Sequence, residues 1–290
     1  MKTEKQDNEY LVGDLVDSNI MESKTIFPKN RVIIILGISL FLIAIISVIF
    51  FLLLIRDSHN NEKEDEVEDP IEILPPLIIN PVKEYTHCII WLHGLNGNPE
   101  IFEDLFKTEV PFAKKENTKI ILMRAPYQIM TYNQENLTSW FDLYSFPVNN
   151  SECYNFTEAT KSRRMIEKVI KEEAKQLKGN YQKIFIGGFS QGSVMSLYTA
   201  YNFNELLGGV LACSGNLLKE TEIIGDKNML KVFLAHGKLD EIVPFSFHKE
   251  TIKRIENFEG VKKYYYENLK HELTDYEKFD MSGFLNDSMI

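Results

Sequence analysis

From Val32 to Ile55 the chain reads VIIILGISLFLIAIISVIFFLLLI, without a charge. As a helix this run would be about 36 Å long at ~1.5 Å per residue, enough to cross a hydrocarbon core of ~30 Å with some tilt. A surface helix needs a polar face, and this stretch has none. A cleaved leader is a poor fit: the run is too long, 31 residues precede it, and LLLIRDSHN after it offers no small-x-small site. The expectation is a single transmembrane helix. It divides the chain into an N-terminal tail (1–31), the span (32–55), a tether (56–70) and a folded domain (71–290).

Charge around the span suggests an orientation. Lys24, Lys29 and Arg31 precede it and Arg56 and Lys63 follow, which favours a cytosolic N-terminus. Four N-x-[ST] sequons, at Asn136, Asn149, Asn155 and Asn286, all lie beyond it. Both features point to a type II protein with its large domain lumenal or extracellular. The tether is acidic and polar and has almost nothing to bury, so it reads as a solvated linker.

Composition excludes some classes. A net charge of −10 leaves nothing to neutralise phosphates, so no nucleic-acid partner is expected. The three cysteines, Cys88, Cys153 and Cys213, permit at most one internal disulfide. Cys88 and Cys213 sit in apolar runs and read as buried thiols. No C-x-x-C pair and no His/Cys cluster occurs, so no metal site is expected.

Within 71–290, IEILPPLIINPVKEY carries prolines that suit an extended or edge segment. Short continuous apolar runs follow: THCIIWLHG, KIILMRAP, KIFIGGFS, GGVLACSG, KVFLAHG and VKKYYYENL. Runs without polar alternation suit strands buried on both faces. Helical patterns lie between them, the best being ATKSRRMIEKVIKEEAKQLKGN, with Met165, Ile166, Val169, Ile170, Ala174 and Leu177 on one face and Gly179 just past its end. The alternation predicts a mostly parallel sheet covered by helices, an α/β class whose active groups gather at the strands' carboxyl ends.

Ser190 sits in Gly188-Phe189-Ser190-Gln191-Gly192, after the β-rich YQKIFIGG and before the helical QGSVMSLYTAYN. Strand, sharp turn and helix make the context of a nucleophile elbow. Of the six histidines, His271 follows a strand and comes after the serine, as the order Ser, acid, His requires. His248 reads as a surface residue at a helix start. Asp240, in the loop after KVFLAHG, is the acid that would orient the imidazole; the alternative is a helix N-cap, with Glu241 as the fallback acid. An acyl-transfer site also needs oxyanion donors. The backbone N–H of Gln191 is one, and that of Leu95, in the glycine-bearing loop His93-Gly94-Leu95-Asn96-Gly97, is the other. His93 reads as a residue that packs or orders this loop.

The ordered segments HGLNGNP, APYQ…SWFDLY, GGFSQGSVMSLYTA, AHGKLDEIVP and YENLKHEL resemble the successive motifs of the acyl-protein thioesterase, or phospholipase/carboxylesterase, family over the chain from about Ile71 onward. The resemblance implies an α/β-hydrolase fold, no cofactor, an apolar acyl channel, a Ser190-Asp240-His271 triad, and Leu95 and Gln191 as oxyanion donors. It places Trp140 near the site, as pocket wall, support or plain core aromatic. Departures from the family pattern are Asn96 and Asn268 at positions usually glycine, Ser193 after the elbow, and Lys270 and Glu272 beside His271. Asparagine tolerates positive φ, so both turns should form. The implied substrate is an acylated protein, a lysolipid or a small ester. A membrane-tethered serine hydrolase is the leading reading. A lysophospholipase or short-chain carboxylesterase is the near alternative, and an inactive hydrolase-fold binding domain a third.

Overall fold

The apolar runs form the strands of one sheet. In the computed structural model the described residues are 75–150 and 152–289, all within one compact unit, Pro70–Ile290. The tail, the Val32–Ile55 run and the whole tether, with the first residues of the expected domain up to 74, lie outside the described residues. Among the described residues no helix is long and apolar enough to cross a membrane.

Seven strands build the sheet: β1 (Leu77–Ile79), β2 (His87–Leu92), β3 (Thr118–Met123), β6 (Ile184–Phe189), β7 (Gly209–Cys213), β8 (Val232–Gly237) and β9 (Val261–Tyr266). Their order is β1-β3-β2-β6-β7-β8-β9. β1 runs antiparallel to β3, and every other pair is parallel. The proline-flanked segment is the edge strand β1, as the sequence predicts. At the other edge β9 exposes Lys262 and Lys263, which discourages pairing with another chain.

Side chains alternate between two apolar layers. On one face Cys88, Ile90 and Leu92 of β2, Ile184 and Ile186 of β6, and Val232 and Leu234 of β8 join residues of three helices. These are α1 (Phe156–Gln176), α2 (Gln191–Asn202) and α3 (Phe245–Ile255). On the other face Ile89, Trp91, Phe185 and Phe233 meet the short helical segment of Phe102, Leu105 and Phe106 and the helix α4 (Asp275–Ser288). Each aliphatic or aromatic side chain so enclosed contributes roughly 1.5–3 kcal/mol. The three cysteines are buried, free thiols.

Helix α1 follows its sequence signals. Asn155 caps it by accepting from the Glu158 N–H, Met165, Ile166 and Ile170 are buried, and the chain leaves through Lys178 and Gly179 at φ 58° and 79°. The hairpin of β4 (Tyr127–Ile129) and β5 (Asn136–Thr138) has no counterpart among the expected strands. Its strands are short and Tyr127 and Ile129 are exposed, so no continuous apolar run marks them.

The sheet order reverses at β2 and β6. The chain leaves β2 toward β3 on one side and β6 toward β7 on the other, which opens a crevice at their carboxyl ends. Ser190 and the 93–97 loop emerge there.

Candidate active site

Ser190 occupies a backbone conformation that few residues adopt, with φ 56° and ψ −120°. Such a conformation costs about 1–3 kcal/mol and persists only where its surroundings enforce it. The Ser190 N–H is held by Cys213 O at 2.9 Å. Gly192 lets α2 abut the end of β2, since a Cβ there would lie 2.0 Å from Leu92 O; a Cβ on Gly188 would meet the Gly192 carbonyl carbon at 2.5 Å. The strand-turn-helix spacing thus folds into an elbow that lifts one hydroxyl out of the sheet.

His271, just beyond β9, reaches that hydroxyl. Its Nε2 is 2.8 Å from Ser190 Oγ and its Nδ1 is 2.7 Å from Asp240 Oδ2. An ionised carboxylate can only accept, so Nδ1 carries the proton and Nε2 accepts from the serine. Asp240 performs two tasks. Its Oδ1 accepts from the N–H groups of Ile242 and Val243 at 2.9 and 2.8 Å, capping the turn, while Oδ2 faces the imidazole. The helix N-cap alternative does not hold, since the N-cap of α3 is Pro244; Asp240 serves a turn and the imidazole at once. Burial alone would raise the Asp240 carboxyl; hydrogen bonds from His236 and His271, the His271 charge and the Val243 N–H outweigh it and hold the group well below the usual carboxylate range. Glu241 is exposed and turned to solvent.

Two histidines near this acid have roles the sequence analysis did not assign. His236 is fully buried. Its Nε2 donates to Val243 O at 2.8 Å and lies 3.3 Å from Asp240 Oδ2. His248 is also fully buried, which corrects its reading as a surface residue. Its ring packs 4.8 Å from that of His236 and 5.3 Å from that of Phe245. Helix position alone did not reveal that this face of α3 lies against β8. Burial first, and then the His236 charge, pushes His248 down to about 3, so it is neutral at pH 7.

The loop after β2 is fixed from beneath. Gly94 O accepts from the Gly97 N–H at 3.1 Å and from His93 Nδ1 at 2.7 Å. In a trans peptide this turns the Leu95 N–H in the opposite direction, away from both donors. His93 Nε2 accepts from the Ala125 N–H at 3.1 Å, and burial pushes the ring down to about 4, so it is neutral and orders the loop as expected. Asn96 takes φ 55° and donates its N–H to Thr138 O at 2.8 Å. Asn268, in contrast, is not among the positive-φ residues, so its turn makes no such demand. The loop backbone comes close to the serine: a Cβ on Gly94 would sit 3.2 Å from Ser190 Cβ.

Trp140 corrects the pocket-wall option. It is fully buried and absent from the cavity surface. Its indole N–H donates to His93 O at 2.8 Å, which makes it a support for the loop. The Gln191 side chain has a similar role that sequence motifs did not disclose. Its Oε1 accepts from the Trp140 N–H at 2.9 Å and its Nε2 donates to Phe141 O at 2.7 Å, tying the elbow to the segment below. The Gln191 backbone N–H lies in the first turn of α2, where helical geometry provides no internal acceptor.

A cavity of about 350 Å³ opens over Ser190 and His271. Leu95, Ile101, Phe102, Leu137, Phe189 and Ile242 give it a largely apolar wall. Among the described residues no group of acids, histidines or cysteines could hold a metal ion.

Comparison with known proteins agrees with this architecture. The family model described as Phospholipase/Carboxylesterase matches residues 75–289. Acyl-protein thioesterase 1 of Debaryomyces hansenii is 31% identical over 211 residues, covering 69% of this chain and 90% of that protein. Lysophospholipase-like protein 1 of Mus musculus is 29% identical, covering 71% and 89%. The crystal structure of Arabidopsis thaliana SOBER1 superposes with a TM-score of 0.65 at 21% identity, over 71% of this chain and 100% of that one. That of Zea mays acyl-protein thioesterase 2 gives 0.61 at 22%, over 74% and 99%. With its mostly parallel seven-stranded sheet and its match along nearly the whole described unit, the chain belongs to the phospholipase/carboxylesterase family of α/β-hydrolases.

Proposed function

We propose that this chain is a serine hydrolase that cleaves fatty-acyl thioesters or carboxylic esters through an acyl-enzyme on Ser190. The observation that carries the reading is the unbroken hydrogen-bonded chain from Ser190 Oγ through His271 to Asp240 at the base of an apolar cavity. Ser190 Oγ attacks the carbonyl carbon while its proton passes to His271 Nε2. Asp240 stabilises the imidazolium. The Leu95 and Gln191 N–H groups receive the developing oxyanion, each worth about 2.7–4 kcal/mol in the transition state. His271 then returns the proton to the leaving sulfur or oxygen as its bond to the acyl carbon breaks. A water deprotonated by His271 cleaves the acyl-serine and restores the hydroxyl.

The apolar wall favours an acyl chain over a polar one, and the thioesterase and lysophospholipase-like names of the relatives support the same substrate range. Lysolipids and small carboxylic esters are the second reading, favoured by the mouse relative. The Val32–Ile55 run supports a single-pass anchor, with the hydrolase domain lumenal or extracellular. The test is labelling by a fluorophosphonate probe. Wild type should label and Ser190→Ala should not; equal labelling of both removes the nucleophile. A chain that neither labels nor turns over p-nitrophenyl esters is a binding domain instead.

A further inference from the structure

The mouth of the Ser190 cavity holds a carboxylate that acyl transfer does not use. Glu135 lines the cavity beside Tyr132 and Phe146, and no lysine or arginine does. The Tyr132 and Phe146 rings lie 5.4 Å apart at 33°. The turn bearing the carboxylate is held by several bonds. Met130 and Glu135 are joined by the Met130 N–H to Glu135 O at 2.9 Å, and the Gln134 N–H reaches Met130 O at 2.8 Å, with Gln134 at φ 61°. Asn133 brackets Glu135, accepting from its N–H at 3.1 Å and donating to its Oε2 at 2.8 Å. Buried Asp142 accepts from the N–H and hydroxyl of Thr131, both at 2.6 Å, and so ties the turn to the layer beneath the elbow. Burial, with the neighbouring Glu135 charge, raises the Tyr132 phenol, so the ring stays neutral.

We propose that Glu135, Tyr132 and Phe146 form a subsite for a quaternary ammonium group carried on the alcohol or thiol half of the substrate. The assignment rests on the hydrolase reading and narrows its substrate class. A quaternary ammonium has no N–H to satisfy and is weakly hydrated, so aromatic faces and one carboxylate can receive it with little loss of solvation. An anionic leaving group would meet repulsion from Glu135 and, at longer range, from a chain of net charge −10. When His271 protonates the departing sulfur or oxygen, the cation itself takes no part in bond breaking; it positions the leaving half.

The test compares butyrylthiocholine with S-(3,3-dimethylbutyl) thiobutyrate, its neutral counterpart of the same shape, on the full-length protein in detergent. The subsite predicts a kcat/KM ratio of about tenfold in favour of the cation, the size of a cation–π contact joined to one exposed carboxylate. Glu135→Gln should lower that ratio at least threefold and Glu135→Lys should bring it below one. Salt at 0.5 M should lower the ratio in wild type and lower it less in Glu135→Gln. Both substrates are measured on one preparation, so the fraction of folded protein cancels. A wild-type ratio near one, or a ratio unmoved by either substitution, overturns the subsite and leaves the hydrolase reading standing. Hydrolysis of neither thioester by wild type overturns both.

Discussion

Glu277 offers a quantitative test of how tightly α4 closes the lower layer. The residue is fully buried on α4, neither carboxyl oxygen has a hydrogen-bond partner among the described residues, and Cys213 lies beside it. Burial pushes its carboxyl from 4.5 up to about 7; the nearby Cys213 thiol lowers it and the Asp280 charge adds to the rise. In the unfolded chain the proton leaves near pH 4.5, and in the folded chain near pH 7. Between these values the unfolded state binds fewer protons, so stability falls as pH rises through the window and is level above it. The loss amounts to about 3 kcal/mol at ~1.36 kcal/mol per pKa unit. Glu277→Gln keeps the shape and removes the titration. The advantage of the variant over wild type should therefore grow by about 3 kcal/mol between pH 4.5 and pH 8. For a domain of this size that is a gain of roughly 6–12 °C in Tm. Urea denaturation followed by tryptophan fluorescence suits the measurement, because the two tryptophans, Trp91 and Trp140, are both buried in this unit. A difference between variant and wild type that stays constant within ~0.5 kcal/mol across that range would refute the argument, since it would mean that water reaches the carboxylate.

Two further substitutions probe the site. Asp240→Asn preserves the capping oxygen but favours the wrong imidazole tautomer, so kcat should fall on the order of 10⁴-fold with KM little changed in steady-state ester hydrolysis. Trp140→Phe removes the 2.8 Å bond to His93 O and leaves a buried carbonyl unpaired. At about 1–3 kcal/mol for such a group, the same assay should read a drop in kcat on the order of tenfold, and an unchanged kcat would make Trp140 mere filling.

Five strands, β2, β3, β6, β7 and β8, were legible because burial on both faces demands uninterrupted apolar runs, whereas the edge strand β9 carries two exposed lysines and keeps no residue fully buried. The β4–β5 hairpin was not, because exposed three-residue strands leave no such mark. Ser190, His271 and Asp240 could be picked by order and by position after strands, since backbone direction in a parallel sheet brings strand ends together. The supporting groups could not. Nothing local to Trp140 or Gln191 tells that they bond to each other's segments, about fifty residues apart in the chain, and nothing local to His248 tells that its side of α3 is buried.

The amino-acid sequence by itself determined the apolar run at 32–55, the alternation of strands and helices, and the chemical identity of the groups at the strand ends, all of which depend on composition and short-range spacing. Tertiary structure alone decided that Asp240 divides its two oxygens between a turn and an imidazole, that Trp140 lies under the loop rather than in the cavity, and that Glu135 faces the cavity beside two rings. Those outcomes depend on distances between segments far apart in sequence, and such distances are set by how the layers pack rather than by any residue's own preference.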